Sequence, residues 1–237
     1  MGAANHDARS RLFVALDVAD VERARALVEK LGSHAQCYKV GLELIFGGGI
    51  GFAQGLKAAG KDVFLDMKLL DIPNTVEKAA ANIAGLGFDY LTVHGLDLKT
   101  LDAAVRGRGN SKLKLLAVTV LTSLETADLR EQGVAAMGAA DLVVHRAKLA
   151  KAAGFDGVIA SGQEAALVRA AVGPEFLIVT PGIRLSDGPD RDQARVMTPK
   201  NAIAAGATHL VVGRPITQAS DPAAAARHIV DEIATLT

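Results

Sequence analysis

Apolar positions along this chain come in blocks. Short, nearly continuous apolar runs recur eight times, at residues 12–16, 38–40, 63–65, 90–93, 113–120, 157–159, 176–179 and 210–212. Runs this short and this unbroken predict strands buried on both faces. Helical spacing fills the gaps. In residues 21–31, Val21, Ala24, Leu27, Val28 and Leu31 share one face. Further helices are predicted over 52–59, 76–86, 98–105, 139–153, 164–172 and 201–205. A last one runs from about Ala223 to Leu236, with Asp221-Pro222 as its cap and first turn. The widest interval, Gly109 to Gly154, leaves room for an extra short helix near 127–132. Glycines at 32, 60, 87, 109, 154, 173 and 206 each close a helical or polar stretch just before an apolar run. That is where a helix end needs a residue tolerant of left-handed backbone.

Eight apolar runs alternating with helices specify a parallel sheet covered by helices. Eight units in 237 residues fit an α/β fold of the (β/α)8 TIM-barrel kind better than a doubly wound sheet. No linker or composition break divides the chain. The expected organisation is one barrel domain over residues 11–237 behind a flexible tail at 1–10. Half of the residues are hydrophobic, 24 are glycine and only 4% are aromatic, which suits close packing of helices on a sheet.

Charge narrows the partners. Twenty-six basic and 26 acidic residues balance to a formal +0. No basic stripe marks a nucleic-acid binder. The longest apolar run, 115–121, is too short to span a bilayer, and residues 1–10 lack the apolar core of a secretory signal. The expectation is a soluble cytoplasmic protein with no membrane partner. The lone Cys37 reads as a buried structural thiol.

In a barrel of this kind, reacting groups sit at the C-terminal ends of the strands. The polar residues that fall there are Asp17, Lys39, Asp66, Lys68, His94, Thr122, Arg184, Gly213 and Arg214. The densest stretch is Asp66-Met67-Lys68-Leu69-Leu70-Asp71-Ile72-Pro73-Asn74-Thr75. Asp66 and Lys68, two apart on a strand, face the same way, whereas Asp71 has the opposite parity. Pro73 stiffens the link, and Asn74 through Glu77 reads as a capping box for the next helix.

Glycine, arginine and proline at 213–215 open a short helix, a pattern that barrel enzymes use to hold phosphate. The polar segment 185–193 has the composition of a flap that closes over a ligand. Glycines 47, 48, 49 and 51 do not form a GxGxxG run and read as a turn. No His/Cys group has metal-ligand spacing, so neither a cofactor nor a metal is expected. His94 reads as a hydrogen-bonded residue near the floor of the site, not as a catalyst.

The run Asp66-x-Lys68-x-x-Asp71-Ile72-Pro73-Asn74-Thr75, taken with Thr180-Pro181-Gly182-Ile183-Arg184 and Val212-Gly213-Arg214, resembles the orotidine 5′-phosphate decarboxylase family. The similarity extends over the whole chain, from Asp17 and Lys39 to Arg214. It implies a cofactor-independent carboxy-lyase that converts orotidine 5′-monophosphate (OMP) to uridine 5′-monophosphate (UMP) and CO2, the last step of de novo pyrimidine synthesis. It also implies a homodimer with shared active sites.

By that resemblance, Lys68 donates a proton to C6 of the pyrimidine and Asp66 faces the substrate carboxylate. Lys39 and Asp71 complete an alternating Lys-Asp-Lys-Asp array, with Asp71 and Thr75 reaching into the partner's site. Asp17 and Lys39 bind ribose hydroxyls, Thr122 contacts the base, and Gln193, Gly213 and Arg214 hold phosphate with Arg184 beside them. Two rivals are a magnesium-dependent sugar-phosphate decarboxylase or aldolase on a similar barrel, and a non-catalytic nucleotide sensor. The first places an acidic metal ligand on the second strand, where this chain has Lys39.

Overall fold

Each apolar run forms a strand, and each strand hydrogen-bonds to its neighbour in sequence. The structure, a computed structural model, describes residues 7–134, 136–185 and 197–235. The strands are β1 (Leu12–Ala15), β2 (Cys37–Gly41), β3 (Asp62–Leu69), β4 (Tyr90–His94), β5 (Lys114–Val118), β6 (Gly157–Ile159), β7 (Leu177–Thr180) and β8 (His209–Val212). All pairs are parallel, and β8 returns to pair with β1, closing a (β/α)8 barrel. A single 3-10 turn, Ala8–Arg11, precedes β1, and the Arg11 side chain donates to the Thr208 carbonyl 2.8 Å away, beside β8.

Because side chains alternate across a strand, the eight strands sort their residues into two cores. Leu12, Val14, Tyr38, Val40, Val63, Leu65, Leu91 and Val93 pack outward against the helices. Phe13, Cys37, Phe64, Tyr90 and Leu116 point into the barrel. Inside, Phe13 meets Tyr90 edge-on, with centroids 4.9 Å apart, and stacks on His209 at 5.4 Å. These rings fill the floor of the barrel. Three of the nine phenylalanines and tyrosines of the chain, Phe13, Phe64 and Tyr90, lie there.

Helices follow the sequence closely. Val21–Leu31 and Ala139–Ala153 have their expected bounds, and the extra short helix is Thr126–Glu131. Asp221 caps Pro222–Ala234, accepting from the Ala224 amide at 3.0 Å. All seven punctuating glycines have positive φ. Glycines 47–49 form a kinked helical turn, in which a Cβ at Gly47 would stand 2.6 Å from the Ala19 carbonyl oxygen.

One local expectation fails. The helix after β3 starts at Pro73, with Ile72 at the N-cap and no side-chain cap, so no capping box forms at Asn74. Pro73 has its φ preset and no N–H to satisfy, so it takes the first helical position itself. Glu77 turns instead to Arg106 on the neighbouring helix Leu98–Arg108, at 2.8 Å.

Among the described residues no helix is long and apolar enough to cross a membrane. Cys37 is buried, as expected.

Candidate active site

Inward-facing positions change character on climbing the barrel. Phe13, Cys37, Phe64 and Tyr90 at the floor give way, two or four residues on, to Asp17, Lys39, Asp66 and Thr92. Above them opens a cavity of about 550 Å3, into which Asp17, Lys39, Asp66, Lys68, Thr122 and Arg184 face, with Gly213 and Arg214 on the wall formed after β8.

The ionic residues form a chain. Lys39, only 6% exposed, reaches Asp17 Oδ1 at 2.8 Å and Asp66 Oδ2 at 3.5 Å. Lys68 Nζ meets the same Asp66 Oδ2 at 2.8 Å. A single carboxylate oxygen therefore lies between two ammonium groups. Lys39 does not merely extend to the rim; it is committed to this row. Burial pushes the Asp66 pKa up, but Lys39, Lys68 and the hydroxyl of Thr92 outweigh it and hold the carboxyl below its usual range.

β3 reaches this arrangement by breaking its ladder. Leu65 pairs with Leu91 and Leu69 with Val93, so Asp66, Met67 and Lys68 stand opposite Thr92 alone. Lys68 has φ 47°, the one positive φ among the described non-glycine residues. Backbone of this kind costs on the order of 1–3 kcal/mol and survives where its surroundings enforce it. The two side chains share a face, as expected from their spacing, but on a bulged strand end.

Two residues outside the sequence-based set shape this layer. Thr92, fully buried, donates to Asp66 Oδ1 at 2.9 Å and accepts from the Lys68 amide at 2.9 Å. Gly41 leaves room for the lysine, since a Cβ there would stand 2.9 Å from Lys39 Nζ. Both continue inward-facing series legible in the sequence, Tyr90-x-Thr92-x-His94 and Cys37-x-Lys39-x-Gly41.

Not every expected residue joins the cavity. Asp71 and Thr75 are exposed and do not line it, and Asp71 Oδ1 accepts from the Ile72 amide at 2.6 Å. Beside them Leu70 and Ile72 are 52% and 66% exposed, and Leu96 and Leu98, after β4, are 41% and 45% exposed. His94 is half-buried. Contrary to expectation, its ring makes no hydrogen bond among the described residues; burial, then Lys68 and Arg146, lower its pKa against the pull of Asp66.

Gln193 and all of the expected flap 185–193 except Leu185 fall within residues 186–196, which lie outside the described residues. Their two flanks meet where the Arg184 amide donates to the Met197 carbonyl at 3.0 Å. Gly213 is the N-cap of the helix Arg214–Thr217, with Pro215 in its first turn, as expected. Arg214 is exposed and makes no ion pair among the described residues. Nor do three His, Cys, Asp or Glu side chains there converge as a metal site requires.

Residues 10–229 match the family described as Orotidine 5′-phosphate decarboxylase / HUMPS family. The chain belongs to this family. It is 54% identical over 229 residues to the orotidine 5′-phosphate decarboxylase of Methylobacterium sp. (strain 4-46), covering 95% of this chain and 96% of that one. To the enzyme of the same name from Rhodopseudomonas palustris (strain BisA53) it is 52% identical over 227 residues, 96% of each chain. The crystal structure of orotidine 5′-phosphate decarboxylase from Lactobacillus acidophilus superposes with a TM-score of 0.83 at 40% identity, covering 94% of this chain and 98% of that one. Family membership thus covers the barrel and the ionic row together.

Proposed function

We infer that this protein is a carboxy-lyase that releases CO2 from OMP to give UMP, the closing step of de novo pyrimidine synthesis, and that it acts in the cytoplasm. The observation that carries this reading is the Lys39–Asp66–Lys68 row at the base of the cavity, in a chain of this family. When the C6–carboxylate bond breaks, its electron pair stays in an sp2 orbital on C6 with no neighbouring imine to take it up. A fixed ammonium aimed at that carbon stabilises the developing charge electrostatically. Lys68 then gives C6 its proton, CO2 departs, and solvent reprotonates the amine.

Asp66, beside the leaving carboxylate, sets the lysine and disfavours the charged ground state. Asp17 and Lys39 take the ribose hydroxyls and Thr122 the base. Gly213, Arg214 and Gln193 hold the phosphate, with Arg184 alongside. Phosphate binding supplies energy remote from the reacting carbon, which is where an enzyme of this kind draws on it.

Asp71 and Thr75 act in the partner's site of a homodimer. Their support is their position: outside their own cavity, on a rim where Leu70, Ile72, Leu96 and Leu98 remain exposed. An exposed apolar patch around polar groups is what an interface covers.

The deciding assay follows the ultraviolet absorbance of OMP with purified protein in EDTA. Loss of absorbance with UMP formed is the expected result; no turnover sinks the reading. Turnover that appears only when Mg2+ is restored would favour the metal-dependent sugar-phosphate alternative, which needs an acid on β2 where Lys39 stands.

A further inference from the structure

We propose that Thr92 is a positioning residue for the decarboxylation, its hydroxyl bridging the Lys68 amide and the Asp66 carboxylate so that the lysine–aspartate pair keeps one geometry. The proposal rests on the function inferred above and adds a residue to it.

The argument starts from the bulge. Three residues of β3 stand opposite one residue of β4, so the ordinary ladder has no partner for the Lys68 N–H. Thr92 Oγ1 supplies one, at 2.9 Å. A hydroxyl has one proton to give and lone pairs to accept with. Because the Lys68 amide can only donate, the Thr92 proton is free to go to Asp66 Oδ1, 2.9 Å away. The directions of both bonds are thereby fixed. Asp66 Oδ1 is occupied, and Oδ2 is left to face Lys39 and Lys68.

One buried hydroxyl thus holds both ends of the pair: the strained backbone that carries the ammonium and the oxygen that turns the carboxylate toward it. A valine has nearly the same shape and makes neither bond. It would leave a buried N–H and a carboxylate oxygen unpaired at once.

The charged groups facing Asp66 are Lys39 from β2 and Lys68 from its own strand, with the titratable ring of His94 on β4 coupled to it more weakly. Asp17, after β1, lies on the far side of Lys39. None of them replaces the Thr92 bond to Oδ1.

The test compares Thr92→Val and Thr92→Ser with wild type in steady-state decarboxylation across pH, in UMP binding, and in the 13C titration of the Asp66 carboxyl in the free enzyme. Thr92→Val should lower kcat by about 10- to 100-fold, leave UMP affinity within about threefold, and raise both the acid limb of kcat/KM and the Asp66 midpoint. Thr92→Ser, which keeps the hydroxyl, should restore all three to within about threefold of wild type. Should the valine variant not fold, Thr92→Ala carries the same comparison.

A folded hydroxyl-free variant with wild-type kcat and an unmoved Asp66 titration overturns the proposal. So does a serine variant as impaired as the valine, which would assign the effect to packing of the methyl group. If wild type releases no CO2, the function falls; the Asp66 titration still decides whether Thr92 sets that carboxylate.

Discussion

Lys68 Nζ rests 2.8 Å from Asp66 Oδ2, and the lysine backbone is bent to φ 47° to place it there. A surface ion pair gains little from such strain; a cation in the role proposed for Lys68, meeting charge that develops on one carbon, gains accuracy of placement.

Lys68→Ala should therefore reduce kcat by at least on the order of a thousandfold, while UMP binding stays measurable by calorimetry. A folded variant with ordinary turnover would refute the role given to the ammonium.

Asp71 lies away from its own cavity, so two dead variants should complement each other. Mixing Lys68→Ala with Asp71→Ala subunits gives hybrid dimers in which one site carries neither defect. With random exchange, activity should return to about a quarter of wild type, read against a control showing that subunits have exchanged. No recovery would place both residues in the same site.

Gly41→Ala puts a methyl group against the Lys39 ammonium, 2.9 Å from its present position. The side chain is flexible enough to yield, so the fold should persist with little change in thermal midpoint. The displaced charge should cost on the order of tenfold or more in kcat/KM.

Acid should act partly through Asp66. Its folded pKa lies below the unfolded value of about 3.9, so its stabilising contribution is complete above that pH and is lost as pH falls through the folded pKa. Asp66→Asn should be less stable than wild type at neutral pH and show a shallower decline below about pH 4. Urea midpoints measured across that window test this. Equal slopes would mean that other carboxylates dominate acid unfolding.

The barrel was legible because its strands are buried on both faces and therefore read as unbroken apolar runs. Each of the seven punctuating glycines marks a positive φ for a related reason: few other residues take that backbone cheaply. Asp66, Lys68 and Lys39 were found because charge is costly at inward-facing positions. Thr92 escaped notice because a threonine in an apolar strand carries no such signature. Its role depends on a bulge in the neighbouring strand, and only the pairing of β3 with β4 reveals that. The capping box at Asn74 failed because a local motif competed with Pro73 for the start of the helix, and the proline's fixed geometry prevailed.

The ring of Phe13, Phe64, Tyr90 and His209 stoppers the lower end of the barrel. The cavity lies at the opposite end, so on the proposed reading the nucleotide enters and the liberated gas leaves on the side where Lys39, Asp66 and Lys68 stand.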